Sequence, residues 1–143
     1  MHCTVWKISA PIFDLKISLP LIASRVAAGF PSPAEDHIEG RIDLNEDLIK
    51  HPFTTYYIEV EGDSMEPLIL DNALIVVDRM PETKDRDIVV ARIGNDLCVK
   101  RLRILDDGSV WLFSENPNYK PILIEIEDDF EIWGKVLHSI QRF

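Results

Sequence analysis

Ser64 and Lys100 are the two residues of this chain whose types and settings admit nucleophilic chemistry. Ser64 stands in the stretch VEGDSMEPLILDN, residues 60 to 72, where an extended apolar run ends at Gly62 and a short helix-like segment, SMEPLIL, begins. A serine at such a junction can point its Oγ out of a sheet, beside backbone N–H groups able to receive an oxyanion. The same position suits a serine that merely caps the turn, and the stretch alone does not choose between the two.

A nucleophilic serine needs a base. In LCVKRLRIL, residues 97 to 105, alternation puts Cys98, Lys100, Leu102 and Ile104 on one face of a strand and Val99, Arg101 and Arg103 on the other. Lys100 is then the one charge on an otherwise apolar face. Burial there disfavours the ammonium form and lowers the pKa, which is how a lysine becomes a general base. A lysine at a barrel edge, its stem on apolar surface and its head in water, is the other reading of the same pattern. The four histidines, His2, His37, His51 and His138, have no evident carboxylate orienter and no metal-ligand spacing, so neither a Ser-His-Asp triad nor a metal or cofactor site is supported.

The elements that must position these residues are mostly strands. TYYIEVEG alternates Ile58 and Val60 against Tyr57, Glu59 and Glu61, and ALIVVD (73–78) is a continuous apolar run. DIVVARI (87–93) and the lysine run flank the turn Gly94-Asn95-Asp96. Three more runs follow: SVWLFSE (109–115), PILIEIE (121–127) with Ile122, Ile124 and Ile126 on one face, and FEIWGKVLHSI (130–140). About seven short strands joined by tight turns predict a mainly β domain, barrel-like or sandwich-like. Ahead of them, RIDLNEDLIKHP predicts one helix of two turns, with Asp43 as N-cap and Pro52 as stop. Residues 1–36 have weak periodicity and, in GFPSPAED, two prolines that favour extended backbone, so they read as an arm outside the core.

A chain of 143 residues, 46% hydrophobic and 28% charged, holds one domain with a real core. Its net charge of −10 is uneven: Lys7, Lys16 and Arg25 against Asp14 give residues 1–28 a balance of +2, leaving −12 for residues 29–143. That acidic body repels phosphate and disfavours direct nucleic-acid binding. Two distant cysteines, Cys3 and Cys98, make no disulfide framework, and reduced thiols in a cytoplasmic protein are the simpler reading. No run reaches the length of a membrane span. A secretory signal around KISLPLIASRVAAG is disfavoured by Pro20 in its apolar core and Arg25 in its cleavage region.

GDSMEP followed 36 residues after Ser64 by the lysine of VKRL, with DIVVARI between them and SENPNYKPI and EIWGKVLHSI after, resembles the LexA/UmuD group of self-cleaving Ser-Lys peptidases. AAGFPSPAEDHIEGRIDLNEDLIKHP is similar to the cleavable arm and first helix of the UmuD-like members, and the resemblance covers about residues 26–140. It implies Ser64 as nucleophile, Lys100 as base, backbone N–H groups of Ser64 and Met65 as the oxyanion site, and a cut between Ala28 and Gly29. It further implies a cleavable arm (1–28) and a peptidase and dimerisation domain (29–143). Self-cleavage would be stimulated by a RecA filament on single-stranded DNA in the SOS response. The shortened homodimer would serve a UmuC-type polymerase in translesion synthesis. Two departures stand out. The family's frequent Asp-Gly-Asp turn is Asp71-Asn72-Ala73 here, where asparagine tolerates the left-handed conformation, and Arg86 replaces the glycine that often precedes Asp-Ile-Val. A signal-peptidase-like enzyme and a noncatalytic dimeric interaction module are the alternatives.

Overall fold

The computed structural model describes residues 16–22, 26, 28–30 and 38–143. The chain divides into two compact units, the first up to Asp47 and the second from Leu48.

In the first unit β1 (Leu19–Ile22) pairs antiparallel with β2 (Ile38–Ile42), matching Leu19 to Ile42 and Leu21 to Gly40. Arg41 reinforces the pair: its guanidinium donates to the Ser18 carbonyl at 2.8 Å and to the Ser18 hydroxyl at 3.2 Å. Every residue of β1 is exposed. The hairpin itself has no clear signal in the sequence, because β1 is only four residues long and contains Pro20. Helix α1 (Leu44–Leu48) starts where expected, with the Asp43 carboxylate accepting from the Asn45 N–H at 3.0 Å. It is five residues long, not two turns, since none of its residues is buried and a short helix without tertiary packing does not propagate.

The second unit is built on one seven-stranded sheet: β3 (Thr55–Glu59), β4 (Leu74–Asp78), β5 (Ile88–Ile93), β6 (Asp96–Ile104), β7 (Val110–Phe113), β8 (Ile122–Ile124) and β9 (Phe130–Ile140). The spatial order is β3-β4-β9-β5-β6-β7-β8, so the sheet is open and its end strands β3 and β8 do not close a barrel. All seven runs expected from the sequence form strands. PILIEIE is shortened to three residues, and Ile126 lies beyond β8, fully exposed, instead of sharing a face with Ile122 and Ile124.

Strand β9 organises the sheet, because its first half pairs with β5 and its second half with β4, with a register shift in each ladder. At the changeover sits Gly134, where an added Cβ would meet Val77 Cγ1 at 2.6 Å; only glycine lets the strands approach so closely. Period-two alternation sends side chains to two clusters. One gathers Val60, Met65, Ile69, Ala73, Ile75, Val77 and Val90, and the other gathers Val89, Ala91, Leu102 and Leu112. Both departures from the family's glycines keep the left-handed backbone: Asn72 has φ 67° and Arg86 has φ 78°. Arg86 is held there by its N–H on the Leu102 carbonyl at 2.8 Å. Among the described residues, no helix is long and apolar enough to cross a membrane.

Candidate active site

Ser64 sits in a loop locked at both ends. Val60 and Asn72 close its neck, with Val60 N–H on the Ala73 carbonyl at 2.9 Å and Asn72 N–H on the Val60 carbonyl at 2.8 Å. The Asp71 carboxylate accepts from Gly62 N–H at 2.8 Å. Met65 and Ile69, both buried, anchor the segment after the serine in the first apolar cluster. That segment is a run of turns and not a helix, with one helical bond from Ile69 N–H to the Met65 carbonyl at 2.9 Å. Pro67 and the short length of SMEPLIL stop it from going further, since the proline has no N–H to give. Among the described residues the N–H groups of Ser64 and Met65 donate to no protein acceptor, while the Glu66 N–H is taken by the Asp63 carbonyl.

Lys100 comes from the middle of β6, opposite Val89 of β5 and between Cys98 and Leu102 on its own face. Alternation buries it as the sequence predicts: the residue is 9% exposed, and it forms no ion pair among the described residues. Its Nζ lies 3.1 Å from Ser64 Oγ and 2.9 Å from Ser114 Oγ. The alternative of a lysine head reaching water does not hold. Burial pushes the Lys100 pKa down from its ordinary 10.5, and the nearby Cys98 opposes this. Burial likewise pushes the Cys98 thiol up, toward its inert protonated form.

Three residues around this pair lie in SENPNYKPI, to which the sequence reading gives no individual roles. Ser114 follows β7 by one residue, and the pairing of Arg101 with Phe113 places it across the hairpin from Lys100. Register counted back from the turn at Gly108 carries that signal. Asn116 donates its backbone N–H to the Ser64 carbonyl at 3.0 Å and its side-chain amide to the Asp63 carbonyl at 3.1 Å. Tyr119 donates its hydroxyl to the Asp63 carboxylate. The residues SENPNY thus grip the serine turn from the far side of the lysine, an arrangement that only the folded hairpin reveals.

A groove of about 360 Å³ opens beside Ser64, lined by Ile58 to Glu61, Met65, Val90 and Leu97 to Val99. Its lining mixes apolar side chains with the carboxylates of Glu59 and Glu61. Of the other expected site residues, Ala28 and Gly29 are exposed in the first unit. His2 and His37 lie outside the described residues. His138 stands in β9 opposite Val76. His51 pairs through Nδ1 with the buried Asp78 carboxylate, which also accepts from Thr54 Oγ1 at 2.7 Å and Met80 N–H at 2.9 Å. That His-Asp pair has no serine among its partners and fastens the start of β3 to the end of β4.

Comparison with known proteins agrees with this architecture. Residues 20–137 match the Peptidase S24-like family. LexA repressor 1 of Pseudomonas syringae pv. tomato is 42% identical over 127 residues, which cover 87% of this chain and 61% of that protein. Protein MucA of Escherichia coli is 38% identical over 125 residues, covering 86% of this chain and 84% of MucA. Protein ImpA of Escherichia coli is 37% identical over 124 residues, covering 86% and 83%. This chain therefore spans less than two thirds of the LexA relative and most of the other two. A match that runs through the serine turn, the lysine strand and the loop between β7 and β8 makes this protein a member of the Peptidase S24-like family.

Proposed function

We propose that this protein is a serine endopeptidase that cuts its own arm between Ala28 and Gly29. Ser64 Oγ attacks the Ala28 carbonyl carbon as Lys100, in its neutral form, takes the hydroxyl proton. The oxyanion meets the N–H groups of Ser64 and Met65. The Ala28-Gly29 bond then breaks, and the proton on Lys100 passes to the departing Gly29 nitrogen. Water, deprotonated by the same lysine, releases Ala28 from its ester with Ser64.

The observation that carries this reading is the 3.1 Å approach of a buried lysine to a serine oxygen beside an open groove. A small residue at position 28 and the absence of proline from Arg25 to Phe30 suit an extended segment entering such a groove.

The resemblance to MucA and ImpA supports the wider role. In it, a RecA filament on single-stranded DNA stimulates the cut during the SOS response in the cytoplasm. Residues 29–143 form a homodimer that assists a UmuC-type translesion polymerase. The body's charge of −12 fits protein partners better than direct contact with DNA.

An intact-mass time course of the purified chain, with and without a RecA filament on single-stranded DNA, tests the chemistry. Fragments 1–28 and 29–143 are expected from the parent and from neither Ser64→Ala nor Lys100→Ala. Continued cutting in Ser64→Ala would remove this nucleophile, and an intact parent with the filament present would favour a noncatalytic interaction module.

A further inference from the structure

The loop that follows β7 reaches both members of the Ser64-Lys100 pair through a single side chain. Tyr119 donates its hydroxyl to the carboxylate of Asp63, the residue before the serine, and its ring centroid lies 5.7 Å from Lys100 Nζ. The loop is itself fixed, by Tyr119 N–H on the Asn116 carbonyl at 3.2 Å and Asn118 N–H on Asn116 Oδ1 at 3.0 Å. Since Asn116 holds the Ser64 and Asp63 carbonyls, Tyr119 stands on the same scaffold as the turn it touches.

We propose that Tyr119 is a positioning residue with two separable actions on the Ser64-Lys100 chemistry. Its hydroxyl keeps the Asp63-Ser64 turn in register with the lysine, and its ring face sets how readily the lysine holds a proton. The inference rests on the peptidase reading above. The physical ground is that the negative face of an aromatic ring attracts an ammonium within about 6 Å and is nearly indifferent to a neutral amine. Lys100 must be neutral to accept the serine proton and is a cation once it has done so. Among the described residues no carboxylate pairs with Lys100, so the ring face adds to the Ser64 and Ser114 hydroxyls in stabilising that cation.

The groups facing Lys100 are Ser64 from the turn, Ser114 from the end of β7, Tyr119 from the loop and Cys98 from its own strand. Asp63 is reached through the Tyr119 hydroxyl. Burial raises the Cys98 pKa, and the hydrogen bond to Asp63 raises that of the Tyr119 phenol. Both shifts run opposite to that of Lys100, whose pKa burial lowers.

The test compares Tyr119→Phe, Tyr119→Leu and Tyr119→Trp in the full chain, following the self-cleavage rate from neutral to alkaline pH. In parallel, the Lys100 ¹³Cε signal is titrated by NMR in each variant on a Ser64→Ala background, which requires no cleavage. Tyr119→Phe should lower the rate about tenfold at every pH and leave the midpoint in place. Tyr119→Leu should show the same loss and move the midpoint down by roughly half a pH unit in both measurements. Tyr119→Trp, with a stronger ring face, should move it up. Tyr119→Phe cutting at the parental rate would overturn the action of the hydroxyl. A Lys100 midpoint identical in the Leu and Trp variants would overturn that of the ring. If the parent chain does not cut at all, the peptidase reading falls while the NMR midpoints still decide whether the ring governs Lys100.

Discussion

Ser114 Oγ stands 2.9 Å from Lys100 Nζ, closer than the 3.1 Å that separates the same nitrogen from Ser64 Oγ. The lysine head is therefore held by two hydroxyls, one contributed by the turn after β3 and one by the end of β7. With both in place the Nζ lone pair has a defined direction when the ammonium gives up its proton. Ser114→Ala removes one of the two holds, and we expect self-cleavage to slow by about tenfold, the loss of one hydrogen bond, with the fold intact. Ser114→Thr, which keeps the hydroxyl, should retain most of the rate. Intact-mass kinetics beside a far-ultraviolet spectrum of each variant checks this.

The buried lysine also fixes the sign of a pH effect. Burial lowers the Lys100 pKa from 10.5, so the folded chain binds fewer protons than the unfolded one between that lowered value and about 10.4. The penalty is full below the folded pKa and is relieved as pH climbs through the window above it. On a Ser64→Ala background, Lys100→Met should therefore be more stable at pH 7 by on the order of 1 kcal/mol. The difference should shrink toward strongly alkaline pH. Urea denaturation at neutral and alkaline pH measures it. For activity the direction is the same: self-cleavage rises with pH as the lysine becomes neutral, and a flat profile would count against Lys100 as the base.

Asp78 carries the opposite dependence. It is 1% exposed, and that burial pushes its pKa up, but hydrogen bonds from His51, the Met80 N–H and the Thr54 hydroxyl outweigh it and hold the carboxyl below its ordinary 3.8. Its contribution is present above the unfolded value of about 3.9 and is lost as pH falls through the lower folded value. Asp78→Asn is expected to cost roughly 2 kcal/mol at neutral pH. The gap to the parent should narrow as pH falls below about 4, where the unfolded carboxyl takes up its proton, and on through the lower folded value. Denaturation midpoints across that range decide the matter.

Gly134 offers a purely steric test. A methyl group there would lie 2.6 Å from Val77 Cγ1 and 3.3 Å from the Asp78 carbonyl oxygen, so β9 and β4 must separate to admit it. Gly134→Ala should destabilise the chain by about 1–3 kcal/mol. A companion Val77→Ala change should recover part of the loss if the clash is the cause. Thermal unfolding of the two single variants and the double variant makes the comparison.

The sequence was most informative where one periodicity ruled a whole element. Every strand from Thr55 to Ile140 is foreshadowed by an apolar run, and the alternation around Lys100 foretells its burial because the face of a strand follows from counting in twos. Tertiary contact decided the rest. Helix α1 stops at five residues because none of them is buried, and Ile126 falls outside β8 because the chain turns at Glu125 and Asp128 instead of extending. The hairpin of β1 and β2 joins segments far apart along the chain, which no local pattern announces. Asn116 and Tyr119 lie in a polar loop whose composition suggests only a turn, and their reach to Asp63 depends on where β7 ends.

The pairing of β1 with β2 bears on what a cut between Ala28 and Gly29 would release. While residues 23–37 join the two strands, their meeting is intramolecular, which favours a short ladder with no fully buried residue. Once the tether is severed, the same strands meet only at the concentration of the protein itself, and a four-residue ladder without a buried face is too weak to persist there. Scission would thus act as a dilution, turning a permanent neighbour into a solute. The β2 edge, still attached to residues 29–143, would be left unpaired by the loss of a single covalent bond.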